Sequence, residues 1–110
     1  MRRSDYLACY DKGRRLASRQ FVVFVHVRPE EASPWRVGMA VTKKVGHAVA
    51  RNRIKRVLRE FFRLHQALMQ PQMDLVVVPK KHVRADRLNL DVTCTELIPV
   101  LESLRSCATR

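Results

Sequence analysis

The chain has 110 residues, 46% of them apolar, enough for one domain over 1–110 with a real core. Twenty-two Lys and Arg against ten Asp and Glu leave a net charge of +12, which asks for an anionic partner, nucleic acid before an acidic membrane surface. No run approaches eighteen apolar residues, which excludes a membrane-spanning helix, and Met1-Arg2-Arg3-Ser4-Asp5 leads into no apolar run of the kind a secretory signal needs.

In chain order, Ser4 is placed to cap a short helix with apolar Tyr6, Leu7, Cys9 and Tyr10. Gly13 ends it, with Lys12, Arg14 and Arg15 around its negative end. Phe21 to Val27 reads as a strand, with Phe21, Val23, Val25 and Val27 on one face and Val22, Phe24 and His26 on the other. Pro29 to Pro34 reads as a turn, and Arg36 to Thr42 as a second strand. Lys43, Lys44 and Gly46 connect to a long helix, about His47 to Met69, stopped by Pro71. Asp74 to Pro79 is a short buried strand, Lys80 to Arg87 a basic loop, and Leu88 to Leu104 a last helix that Pro99 must kink or divide. Strands and helices mix without strict alternation. The fold expected is α/β of the α+β kind: a two-layer sandwich with a sheet of about four strands and helices on one face. Cys9, Cys94 and Cys107, odd in number and without C-x-x-C spacing, argue against a disulfide framework or zinc knuckle and fit a reducing cytoplasm.

The charge is concentrated. Residues 36–63 hold nine basic residues and one acid, Glu60, and so carry +8 of the +12. On a helical wheel Ile54, Val57, Leu58, Phe61 and Leu64 share one arc. Arg51, Asn52, Arg53, Lys55, Arg56, Arg59 and Arg63 share the opposite one. Arg51–Lys55–Arg59–Arg63 is an i,i+4 ladder of like charge, and each such pair costs a few tenths of a kcal/mol in the free protein. Phosphates would neutralise it, and Arg outnumbering Lys suits bidentate phosphate recognition. The plain competitor is a solvated basic face. Neither zinc-finger spacing nor a G-x-x-G clamp is present, and the apolar arc reads as core rather than as a membrane-surface face. Structured RNA therefore ranks above DNA, and both above a membrane.

The stretch RVGMAVTKKVGHAVARNRIKRVLRE, residues 36–60, resembles the bacterial ribonuclease P protein family. The family pattern is R-x-G-hydrophobic-x-V-[ST]-K-K-x-x-x-A-V-x-R-N-R-x-K-R followed by an Arg-rich helix. The aromatic first helix, Gly13 and the strands before and after the motif agree in order. Tyr6 stands where the family more often has Phe, and His47 where it has Asn. The resemblance implies a left-handed β-α-β crossover, a connection otherwise strongly disfavoured. It implies a protein that partners a catalytic RNA in removing the 5′ leader of precursor tRNA. It places Lys43, Lys44, Arg51, Asn52, Arg53, Lys55, Arg56 and Arg59 against the RNA subunit. It places Tyr6, Tyr10, Val22, Phe24 and His26 in a cleft for the single-stranded leader. From the residues alone those aromatics read either as core or as a stacking platform for unpaired bases. Arg84 and Arg87 extend the basic rim.

No D-x-D, H-x-H or nucleophile constellation accompanies the basic helix, so no catalytic side chain is expected, and no protein-bound metal or cofactor is assigned from the sequence. The resemblance puts phosphodiester cleavage on the RNA and its Mg²⁺. The competing readings are a structural RNA-binding protein of the ribosome or translation apparatus, and a DNA-binding factor, which lacks a readable helix-turn-helix pair.

Overall fold

The computed structural model describes residues 3–28 and 34–108; the expected turn Pro29 to Pro34 lies almost wholly outside them. Helix α1 (Arg3–Lys12) precedes strands β1 (Arg14–Ala17), β2 (Phe21–Val27) and β3 (Arg36–Met39). Helix α2 (Ala48–Leu64), strand β4 (Met73–Pro79) and helix α3 (Leu90–Ala108) complete the fold. The sheet order is β1-β2-β4-β3. β1 and β2 pair antiparallel, as do β2 and β4, whereas β3 and β4 run parallel, so α2 is the crossover of a β-α-β unit.

Alternation divides the sheet. Phe21, Val23 and Val25 of β2 register with Pro79, Val77 and Leu75 of β4 and are buried. Against them pack Ile54, Leu58, Phe61 and Phe62 of α2 and Leu97, Leu101 and Leu104 of α3. Each of these side chains contributes roughly 1.5–3 kcal/mol by leaving water. The two long helices thus cover one face, as the pattern predicts. Helix α1 lies across the other: its Cys9 Sγ donates to Asp74 O at 3.6 Å, and Tyr10 meets Phe24 edge-on. A helix this short still buries Cys9 completely because glycines admit it closely. A Cβ at Gly38 would stand 2.5 Å from Tyr6 Oη, and one at Gly13 would stand 2.2 Å from Cys9 O.

Several boundaries differ from the sequence pattern. Ser4 lies inside α1 rather than capping it. Arg14 and Arg15 begin β1, an edge strand too short and too exposed to show alternation. β3 ends at Met39, although Ala40 N still donates to Val77 O. α2 stops at Leu64, where His65 leaves helical geometry ahead of a 3-10 turn at Gln66–Leu68; Leu64 is accordingly half exposed and Phe62 fills the core instead. α3 begins later than expected, with Asn89 Oδ1 accepting from Val92 N as an N-cap. Pro99 does not divide α3, which runs through it as one element.

Candidate nucleic-acid interface

The connection from β3 into α2 carries the first basic groups. Lys43 and Lys44, both exposed, sit on a 3-10 turn at Lys43–Val45. Gly46 follows at φ 153°, a conformation that favours glycine. His47 is the N-cap of α2 but makes no side-chain cap bond, and no acid lies in the first turn. The positive pole of α2 is therefore left uncompensated beside its arginines. Asn52, Arg53, Arg56 and Arg59 are exposed, while Arg51 and Lys55 are half-buried. Val49, 84% exposed, joins Asn52, Arg53 and Arg56 around a depression of about 350 Å³.

Two arginines of α2, Arg53 and Arg63, have protein partners. Arg53 Nε donates to Ala85 O at 2.6 Å, tying the loop after β4 to α2. Arg63 Nη2 stands 2.5 Å from Glu60 Oε1; that pairing holds the exposed Glu60 carboxyl below its ordinary range. The last rung of the positive ladder is thus internally neutralised. The rungs Arg51, Lys55 and Arg59 have no carboxylate partner among the described residues.

The second surface lies on the opposite face of the sheet. Val22, Phe24 and His26 are half-buried there, as is Tyr6, and Tyr10 is 40% exposed. Tyr10 and Phe24 rings are 4.9 Å apart at 89°. Burial, then Tyr6 and Cys9, pushes the Tyr10 phenol above its ordinary value. α1 covers the end of this face that holds His26, Asp74 and Arg36. At the Val22 end, β3 runs on toward Lys43 and Lys44. The register of β1 also sets Arg15 beside Phe24 and Ala17 beside Val22. Sequence reading missed Arg15, because nothing marked residues 14–17 as a strand whose pairing would aim it at that face.

An ion cluster closes the covered end. Arg36 Nε donates to Asp74 Oδ1 at 2.8 Å and Arg36 Nη2 to Asp74 Oδ2 at 2.6 Å. Arg28 Nε lies 3.0 Å from Asp74 Oδ1, and Asp5 Oδ1 accepts from Arg36 Nη2 at 3.1 Å. The Asp74 bond foremost raises the Arg36 guanidinium above its usual value.

Among the described residues no group of three His, Cys, Asp or Glu is placed to hold a metal ion, and no helix is long and apolar enough to cross a membrane.

Comparison with known proteins agrees with this geometry. The chain is 52% identical over 109 residues to the ribonuclease P protein component of Oleidesulfovibrio alaskensis, covering 99% of this chain and 87% of the relative. It superposes on the RNase P protein of Thermotoga maritima with a TM-score of 0.83 at 29% identity, covering 94% of each chain. On the Staphylococcus aureus RNase P protein the TM-score is 0.78 at 33% identity, covering 94% of this chain and 92% of that one. The family model described as Ribonuclease P matches residues 1–105, and with that match the chain belongs to the ribonuclease P protein family.

Proposed function

We propose that this protein binds the catalytic RNA of ribonuclease P through α2 and holds the 5′ leader of precursor tRNA on the Phe24 face. The leader is then removed endonucleolytically to give the mature 5′ end. Lys43, Lys44, Arg51, Asn52, Arg53, Lys55, Arg56 and Arg59 meet the RNA subunit as charge and hydrogen-bond donors. Tyr6, Tyr10, Val22, Phe24 and His26 offer unpaired bases an aromatic floor, where stacking is worth roughly 1–3 kcal/mol per base. The observation that carries this reading is the placement of a dense basic helix and a half-open aromatic face on opposite sides of one sheet. That arrangement lets two RNA segments bind without competing. Phosphodiester hydrolysis falls to the RNA and its Mg²⁺, while the protein neutralises charge and positions the substrate. The cytoplasm, where transcription supplies precursor tRNA, is the compartment that suits this role. A purely structural ribosomal role is not favoured, because the family match spans nearly the whole chain.

The test mixes protein, a bacterial ribonuclease P RNA and precursor tRNA. The protein alone leaves the substrate intact. With the RNA, cleavage at the mature 5′ end occurs at lower Mg²⁺ than the RNA alone requires. Cleavage by RNA-free protein shown to be free of contaminating nuclease refutes the division of labour.

A further inference from the structure

At the end of the sheet where β1 turns into β2, a cleft of about 480 Å³ opens between that turn, the loop after β4 and the first turns of α3. Arg19, His82, Arg84 and Arg87 line it, with Val92 and Thr95 of α3 as its wall. Its frame is fixed by hydrogen bonds. Glu96 Oε1 accepts from Ser18 Oγ at 2.7 Å and from Gln20 N at 2.6 Å, and Gln20 Nε2 donates to Oε2. Lys80 N donates to Gln20 O and Lys80 Nζ to Ser18 O, each at 2.8 Å. In the loop, Leu88 N donates to Arg84 O at 3.0 Å, and the side chains of Val83 and Leu88 are buried.

Within that frame the charges are unevenly matched. The one carboxylate lining the cleft, Glu96, has both oxygens engaged by the turn. Arg84 is paired with Asp86 at 3.2 Å. Arg19 and Arg87 are exposed, and neither guanidinium has a partner among the described residues. Two exposed, unpaired guanidinium groups lining one cleft match the oxygens of a phosphodiester, which each can take bidentately. The apolar wall suits the ribose between phosphates.

We propose that this cleft is a second phosphate-binding site for the RNA subunit, with Arg19 and Arg87 as its phosphate ligands. The assignment rests on α2 being the RNA-subunit face. Continuity decides between the subunit and the leader: the bond from Arg53 to Ala85 joins the loop that carries Arg84 and Arg87 directly to α2. The cleft also lies on the α3 side of the sheet, away from Phe24.

The test is binding of the full-length protein to ribonuclease P RNA across a salt series. Three variants are compared with wild type: Arg19→Ala with Arg87→Ala, Arg51→Ala with Arg56→Ala, and Arg3→Ala with Lys12→Ala on α1 as a control of equal charge loss. The cleft double substitution should weaken binding roughly tenfold near physiological salt. It should also lower the slope of log K against log salt by about 1.4 to 1.8. The control should change both far less. The ratio of holoenzyme affinities for precursor and mature tRNA should stay at its wild-type value. An unchanged slope for the cleft variant, with the α2 variant impaired, overturns the second site and leaves the α2 reading standing. Equal losses in cleft and control variants overturn it in favour of diffuse charge. A loss confined to leader-bearing substrate overturns the RNA-subunit assignment. If the α2 variant also binds normally, the proposed function fails as well. Both arginines are exposed and unpaired, so unchanged thermal unfolding should accompany the cleft variant.

Discussion

Asp74 is 1% exposed, yet its carboxylate takes Arg36 through two bonds and Arg28 through a third contact. Taking one partner from such a cluster leaves charge stranded in a poorly solvated place. Asp74→Asn should therefore cost about 3 kcal/mol in denaturant unfolding. Asp5→Ala removes the outer contact to Arg36, made by a more exposed carboxylate, and should cost less than Asp74→Asn in the same measurement. Cys9 gives a pH signature at the same site. Burial first, then Asp74 and Asp5, with Arg36 opposing, push its thiol from 9.0 up to about 11. The unfolded chain releases that proton near pH 9 and the folded chain near pH 11. The thiol's contribution is thus complete below pH 9 and lost as the pH rises toward 11. Between pH 8 and pH 11 wild type should lose on the order of 2 kcal/mol more stability than Cys9→Ala, in which groups common to both proteins cancel.

Helix α2 and strand β2 each divide into a face that builds the core and a less buried face that carries the proposed RNA contacts. Phe61 is fully buried, so Phe61→Ala should cost about 3–5 kcal/mol of stability. Phe24 is only half-buried against Tyr10, and Phe24→Ala should cost distinctly less, about 1–2 kcal/mol. The second variant should weaken holoenzyme affinity for precursor tRNA while sparing mature tRNA and assembly with the RNA subunit. A melting temperature as low as that of Phe61→Ala, with both substrates affected alike, would return Phe24 to the core. The elements that sequence patterning located well are those whose periodicity is enforced by burial. Ile54, Leu58 and Phe61 recur at helical spacing because one face of α2 is dry, and β2 alternates because its two faces differ. β1 escaped because a four-residue edge strand has one half-buried side chain, Leu16, and no period to read. The closeness of α1 to the sheet escaped, though not the face it lies on, because it depends on what Gly38 and Gly13 lack, a Cβ, rather than on any pattern in α1 itself. The basic arc of α2 was legible from charge alone. Its internal debts, Arg53 to Ala85 and Arg63 to Glu60, were not, since one depends on a loop 32 residues away and the other on a rotamer choice.

Across the whole molecule, the two surfaces proposed to meet RNA are carried by one sheet in a body measuring 39 × 28 × 20 Å. Neither surface can move toward the other without breaking the core between them, and interiors packed to crystal-like density do not deform continuously. Binding through α2 should fall steeply with salt, since it neutralises several phosphates, whereas stacking on the Phe24 face should respond weakly. Raising salt at fixed subunit saturation should therefore leave the benefit of a leader largely intact; a parallel collapse of both would mean that the leader is held by charge alone. The shared sheet has a further consequence. If the RNA subunit sits on one side and the leader on the other, as proposed, the protein acts as a gauge block of fixed thickness. A leader must have enough nucleotides to round the edge of the sheet before its first base reaches Phe24. Affinity plotted against leader length should then rise in a step and level off, rather than climb evenly with each added nucleotide.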